Sequence, residues 1–203
     1  MSIEYKFISG IIATTILIIG GAMYLGSRPE KTFADSEVLL TSTHTTGNSD
    51  SKVVLVEFSD FQCPACGAYK PVVDQLLEKY GEKILFGYRH FPLPQHENAL
   101  KAAIASEAAN NQGQFWAMND YLFENQENLT AEVIRKGAEK LELDMKKFDE
   151  DIQNKELASL VERDKNDGNR LGVNSTPTFF LNGKKLKLNR PQDLSIAIDQ
   201  ALQ

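Results

Sequence analysis

The chain has 203 residues, 42% hydrophobic and 25% charged, a globular composition that excludes a wholly disordered protein. Lys and Arg number 22 against 28 Asp and Glu, a formal charge of -6, so the basic excess that phosphate backbones select is missing and no nucleic-acid partner is expected. The two cysteines are too few for a disulfide-stapled scaffold, yet they stand three positions apart, at Cys63 and Cys66.

From Phe7 to Gly26 no residue is charged, and the run has the ~20 residues that a helix needs to cross a hydrocarbon core. We expect a transmembrane segment over 7–26 behind a short N-terminal segment, 1–6. An apolar surface on all sides at the extreme N-terminus suits an anchor better than a buried core helix. A cleavable signal peptide has a shorter apolar region of ~7–15 residues with a small-residue site directly after it. Thr32-Phe33-Ala34 stands too far downstream for that, which favours an uncleaved signal anchor. No cysteine follows the apolar run, so a lipoprotein is disfavoured. Lys6 and the amino terminus on one side, with Arg28 and Lys31 on the other, leave the positive-inside rule tied.

Ser27 to Ser51 turns polar, ends in TSTHTTGNSDS and keeps neither helical nor strand period. It reads as a flexible tether, 27–51, which as a random coil holds the downstream domain roughly 25–30 Å from the membrane. His44 would be solvated there. The remainder, 52–203, has the length of one domain.

Val53 to Phe58 is the near-continuous apolar run of a buried strand. Pro64 is placed as a first helical residue, and Val72, Val73, Leu76, Leu77 and Tyr80 recur at helical spacing before Gly81. Pro71 inside that helix should kink it. Ile84 to Arg89 reads as a second strand, and a right-handed crossover makes the two strands parallel. The stretch from about 97 to 169 is helical, with an alanine-rich segment near Ala99–Ala109 and aromatics from Phe115 to Phe123 that suit a core. Thr178–Leu181 and Lys184–Leu188 flank Asn182-Gly183, a hairpin signal, and a last helix starts near Pro191. The order is βαβ, helical insert, ββα.

At a strand-to-helix junction, Cys63 sits where unpaired amides and the helix dipole stabilise a thiolate. Cys66, one turn further in, can attack a mixed disulfide formed by the first. Cys63 is then the exposed nucleophile and Cys66 the shielded resolving thiol. A zinc half-site would need more ligands, and only His44, His90 and His96 remain, without a second Cys pair or a close His pair. A purely structural disulfide would close a loop of only about four residues and constrain the unfolded chain little. No metal and no cofactor are expected.

The segments Phe58-Ser59-Asp60-Phe61-Gln62-Cys63-Pro64-Ala65-Cys66, Tyr88-Arg89-His90-Phe91-Pro92-Leu93, Gly113-Gln114-Phe115-Trp116 and Gly172-Val173 with Thr176 to Gly183 together resemble the DsbA-like thiol:disulfide oxidoreductases, in particular the membrane-anchored bacterial members. The resemblance covers essentially all of 52–203 in the family's order. It implies an α/β thioredoxin fold with an inserted helical domain, here after an N-terminal transmembrane helix. It also implies an extracytoplasmic domain that exchanges disulfides with cysteine-containing exported proteins and is recycled by a membrane redox partner. The resemblance gives Thr176-Pro177 a cis-proline that binds substrate backbone beside Pro64 and Ala65, and gives Glu57 the place of a buried acid under the dithiol. As a strand neighbour Glu57 could relay a proton from Cys66, though alternation could equally leave it in solvent. His90 and His96 read as loop or interface polar groups.

One residue departs from the pattern. The most oxidising family members carry His where this chain has Ala65, so the Cys63 thiolate should be less stabilised and the pair a milder oxidant. Disulfide oxidase is favoured over reductase or isomerase. The reading from a different class is a tethered peptide-binding or chaperone-like module with an inert disulfide.

Overall fold

The apolar run at Val53 becomes a central strand because it finds a partner strand on each side and a packed layer on each face. In the structure, a computed structural model that describes residues 14–18, 31–40 and 42–203, this strand is Val54–Ser59 and all of it is buried. From residue 32 the order is α1 (Asp35–Val38), β1 (His44–Gly47), β2 (Val54–Ser59), α2 (Pro64–Tyr80) and β3 (Leu85–His90). The insert helices come next, α3 (Ala99–Asn110), α4 (Phe115–Glu124), α5 (Ala131–Lys140), α6 (Met145–Asp151) and α7 (Lys155–Arg170). The chain then closes with β4 (Thr178–Leu181), β5 (Lys184–Lys185) and α8 (Gln192–Ala201).

The sheet order is β1-β3-β2-β4-β5. The βαβ crossover makes β2 and β3 parallel, while every other pair is antiparallel. Asn182 and Gly183 turn β4 into β5 with φ of 48° and 72°, the positive pair that a two-residue hairpin of the right twist requires. Helix α2 runs on through Pro71. Alternation along β2 sends Leu55 and Glu57 to the face covered by α2 and the insert, and Val54, Val56 and Phe58 to the other. In the insert, α3 packs against α4, α5, α6 and α7. Its alanines let those neighbours approach on several sides, and Phe115, Met118, Tyr121 and Leu122 of α4 complete that core.

The segment expected as a tether is part of the domain from Thr32 onward, and the domain boundary moves from 52 to 32. Thr32 bridges to Lys184, and the Phe33 amide donates to the Gly183 carbonyl at 2.9 Å. A side chain at Gly183 would collide with the Phe33 carbonyl, so glycine serves both the turn and this approach. Phe33 and Val38 then cover the second face of the sheet over Val54, Val56, Phe58 and Phe180. His44–Gly47 pairs antiparallel with β3 as an edge strand. Thin periodicity hid all this: Phe33 and the three-residue run Val38-Leu39-Leu40 are too short to show a period, and β1 is four residues long with one face half-buried and the other exposed. The expected membrane segment, 7–26, and the segment 1–6 lie outside the described residues except for 14–18, which are helical and exposed. Among the described residues no helix is long and apolar enough to cross a membrane.

Along β3, Arg89 points to the second face and is fully buried. Its Nε and Nη2 donate to Asp164 Oδ1 at 2.9 and 2.7 Å, Nη2 to Asp167 Oδ2 at 2.7 Å, and Nη1 to the Val38 carbonyl at 3.3 Å. One guanidinium thus joins the sheet, α7 and α1.

His44 is not solvated, and His90 is not in a loop. His44 Nε2 lies 2.7 Å and His90 Nε2 2.8 Å from Glu107 Oε1, inside the protein, with the His44 ring stacked on Phe115 at 3.5 Å. This triad ties β1 and the end of β3 to α3. Burial alone would raise the Glu107 pKa, but the two imidazoles outweigh it and hold the carboxyl at about 2. Its folded-state value lies below the ordinary 4.5, so the stability it contributes is complete above pH 4.5 and is lost as pH falls towards 2. That is on the order of 3 kcal/mol. In denaturant unfolding, Glu107→Gln should flatten the loss of stability between pH 5 and 2. Parallel profiles for the variant and the native protein would contradict the assignment.

Candidate thiol site

The β2–α2 junction fixes the first cysteine. Cys63 is the N-cap of α2 with extended backbone, and Pro64 is the first helical residue, where a missing N–H costs nothing. Asp60, itself buried, shapes the approach: Oδ1 accepts from the Gln62 amide at 2.7 Å, and Oδ2 takes the Leu93 amide and His96 Nδ1 at 2.8 Å each. From the insert, Gln126 Nε2 donates to the carbonyls of Phe61 at 2.8 Å and Cys63 at 2.9 Å.

Both cysteines are free thiols, and their surroundings differ. Cys66 is wholly enclosed, whereas Cys63 is 7% exposed, more shielded than the sequence suggested because the carbonyl of Thr176 lies 3.3 Å from its sulfur. The Cys66 thiol, donating to Cys63, is the strongest influence that lowers the Cys63 pKa. Partial burial opposes it, and Thr176 and the amides of Cys66 and Ala65 add to the lowering, which brings Cys63 to about 5. Burial, with Cys63 and Glu57 beside it, pushes the Cys66 thiol far up. One sulfur therefore favours thiolate at neutral pH and the other keeps its proton.

Thr176 and Pro177 enter from the loop before β4 and are joined by a cis peptide bond. β4 runs antiparallel to β2 with Thr178 opposite Phe58, which brings this loop to the cysteine end of the sheet. Pro64 and Ala65 are exposed on the first turn of α2, and Pro177 is half-buried. The structure thus gathers Cys63, Cys66, Pro64, Ala65, Thr176 and Pro177 at one end of the sheet. Ala65 contributes an N–H to the thiolate rather than a side chain.

Glu57 lies behind the pair, buried, and burial raises its pKa to about 7, moderated by the Ser59 hydroxyl and Lys70. It lines a cavity of about 170 Å³ with Lys70, Asp74, Tyr88, Trp116 and Asn119. Lys70 pairs with Asp74 and Asp120 at 2.5 and 2.7 Å, which places fixed charge beside this acid. A carboxyl that gains and loses its proton near neutrality can serve a buried thiol.

Among the described residues, His44, His90 and Glu107 form the one group whose donor atoms could surround a metal ion, within 4.8 Å of one another. His90 Nδ1 is buried and makes no hydrogen bond, so the acceptor that usually orients a metal-bound imidazole is missing, and the group fits its role as a structural triad better. Asp60 lies in the segment Phe58–Cys66, but neither its role nor that of Gln126 is visible in sequence. Gln126 sits in a polar run, Glu124 to Asn128, within the stretch expected to be helical.

A sequence model of the thioredoxin family matches residues 40–200, and the chain belongs to that family. The Na(+)/H(+) antiporter NhaA 1 of Mycobacterium sp. (strain KMS) is 37% identical over 147 residues, which cover 71% of this chain and 24% of that protein. The chain spans about a quarter of the length of the curated relatives it matches. The thiol-disulfide exchange protein alpha-DsbA2 of Wolbachia pipientis superposes with a TM-score of 0.73 at 20% identity, over 82% of this chain and 91% of that one. Oxidised BdbD of Bacillus subtilis gives 0.72 at 21% identity, over 85% and 97%. The fold is therefore the DsbA-like form of the thioredoxin fold, with a helical insertion.

Proposed function

We propose that this protein is a thiol:disulfide oxidoreductase that works through Cys63 and Cys66 on cysteine-containing exported proteins, and that oxidation is its main direction. The observation that carries the reading is the unlike environment of the two sulfurs, a stabilised thiolate at Cys63 and an enclosed thiol at Cys66. In the oxidising direction a substrate thiolate attacks Cys63 Sγ of the Cys63–Cys66 disulfide. A mixed disulfide forms, and Cys66 leaves as thiolate and takes a proton, for which Glu57 is the acid at hand. A second substrate thiolate then attacks the substrate sulfur of the mixed disulfide and expels Cys63 as thiolate. The substrate has lost two electrons and the protein holds them as a dithiol. A membrane redox partner would remove them.

A low thiol pKa makes Cys63 a good leaving group and stabilises the reduced form, and both favour oxidation of substrates. Backbone amides and the Cys66 thiol lower the Cys63 pKa without a histidine at position 65, and a histidine there would add to that lowering, so Ala65 still makes the pair milder than it would be with His. Thr176 and Pro177, with Pro64 and Ala65 opposite, offer an edge for an extended substrate segment. We also propose that residues 7–26 anchor the chain with the domain outside the cytoplasm, where disulfides persist. Protease added to spheroplasts should digest the domain; protection would overturn that topology.

The direct test of function is stoichiometric. Oxidised protein mixed with a reduced, unfolded substrate carrying two cysteines should yield one substrate disulfide per Cys63–Cys66 pair reduced. A pair that stays oxidised in this mixture would overturn the reading in favour of an inert disulfide.

A further inference from the structure

Gln126 lies outside the thiol motif, on the turn Gln126–Asn128 that comes after α4. Its carboxamide nevertheless spans the first turn of α2. Nε2 donates to the carbonyls of Phe61 and Cys63, at 2.8 and 2.9 Å, and Oε1 lies against Gly67. Gly67 donates its amide to that same Cys63 carbonyl at a longer 3.2 Å, so Gln126 is the closer donor. A Cβ at position 67 would stand 2.2 Å from Gln126 Oε1 and 3.0 Å from its Cδ. Inside a helix, glycine is less favourable than alanine. Here its missing side chain leaves the space that the amide occupies.

We propose that Gln126 is a positioning residue of the dithiol, through which the helical insert holds the Phe61–Cys63 backbone so that the Cys63 sulfur meets the amides at the start of α2. The inference rests on the thiol-exchange reading. Two hydrogen bonds from one planar group fix the carbonyls on either side of Gln62, and those carbonyls set the direction in which the Cys63 Cα–Cβ bond leaves the chain. When the clamp is lost, the sulfur is freer to leave the Ala65 and Cys66 amides. Its thiolate then loses stabilisation, and the disulfide becomes a weaker oxidant.

Two variants attack this contact from opposite sides. Gln126→Met keeps length and volume and removes the donors. Gly67→Ala leaves Gln126 in the sequence and displaces its amide, which as the far end of a flexible side chain can swing away without unfolding the domain. Thiolate absorbance against pH and equilibration with glutathione should show, for each, a Cys63 pKa raised and an equilibrium constant shifted about tenfold towards the disulfide, which is ~30 mV. The double variant should shift no further than either single one, because both remove the same contact. Circular dichroism confirms the fold of each. If either folded variant keeps the native pKa and equilibrium, or if the two shifts add, the proposal is overturned. Native protein that does not equilibrate with glutathione at all would instead defeat the thiol-exchange reading, a separate outcome.

Discussion

Mixed with a disulfide-bonded substrate, Cys66→Ala should accumulate a mixed disulfide, as its Cys63 thiolate attacks the substrate disulfide and expels one substrate thiolate, and Cys63→Ala should accumulate none. When Cys63 is the sulfur that exchanges with substrate, removing Cys66 leaves no internal thiol to resolve the adduct, while removing Cys63 leaves a sulfur that substrate cannot reach, with 0% of Cys66 exposed. The thiolate preference points the same way, since Cys63 is held at about 5 and Cys66 is driven upward by burial. Turnover of the two-cysteine substrate should fall to background in both variants, a loss of several orders of magnitude. Non-reducing electrophoresis after an acid quench separates the two outcomes. Equal trapping by both variants, or by neither, would contradict the assignment of roles, and trapping by Cys63→Ala alone would reverse it.

Arg89→Met should destabilise the domain by about 3–5 kcal/mol, as expected when one partner of a buried ion pair is removed. Asp164 is 2% exposed and would keep only the His90 amide, at 3.0 Å, as a donor. The Val38 carbonyl would lose its bond to the guanidinium, and the Phe58 ring the cation 4.9 Å from its centroid. Such a loss is a large share of the 5–15 kcal/mol typical of a domain. Urea unfolding with an unchanged m-value measures it. A loss below about 1 kcal/mol would mean that Arg89 does not join the sheet, α7 and α1 as described.

The parts legible in the sequence are those with strong local signals. β2 and β3 are apolar runs, α2 carries helical spacing behind Pro64, and Asn182-Gly183 marks its hairpin. The cysteines announce themselves by spacing and by the strand-to-helix junction. What stayed hidden depends on contacts between distant residues. Phe33 and the short run Val38-Leu39-Leu40 are too brief to show a period and acquire meaning only when the opposite face of the sheet needs a cover. His44 looked solvated because its partner, Glu107, is 63 positions away. Arg89, His90 and Glu107 are charged or polar residues that composition assigns to a surface, yet all three are buried, because each is paired with an opposite charge or a hydrogen-bonding partner. Glu57 could not be placed by alternation alone, since both faces of its strand are covered.

Absorbance of the thiolate near 240 nm, tracked from pH 3 to pH 10 on the reduced protein, reads the asymmetry of the two sulfurs directly. The account predicts a single step of one thiolate with a midpoint near pH 5, absent in Cys63→Ala and retained in Cys66→Ala with its midpoint moved upward, because the Cys66 thiol is the strongest influence that lowers it. After subtraction of the oxidised protein's profile, which carries the rise from the six tyrosines near pH 10, no second step should appear, because the Cys66 thiol keeps its proton. Two thiols titrating together near the ordinary value of about 8.5 would contradict it.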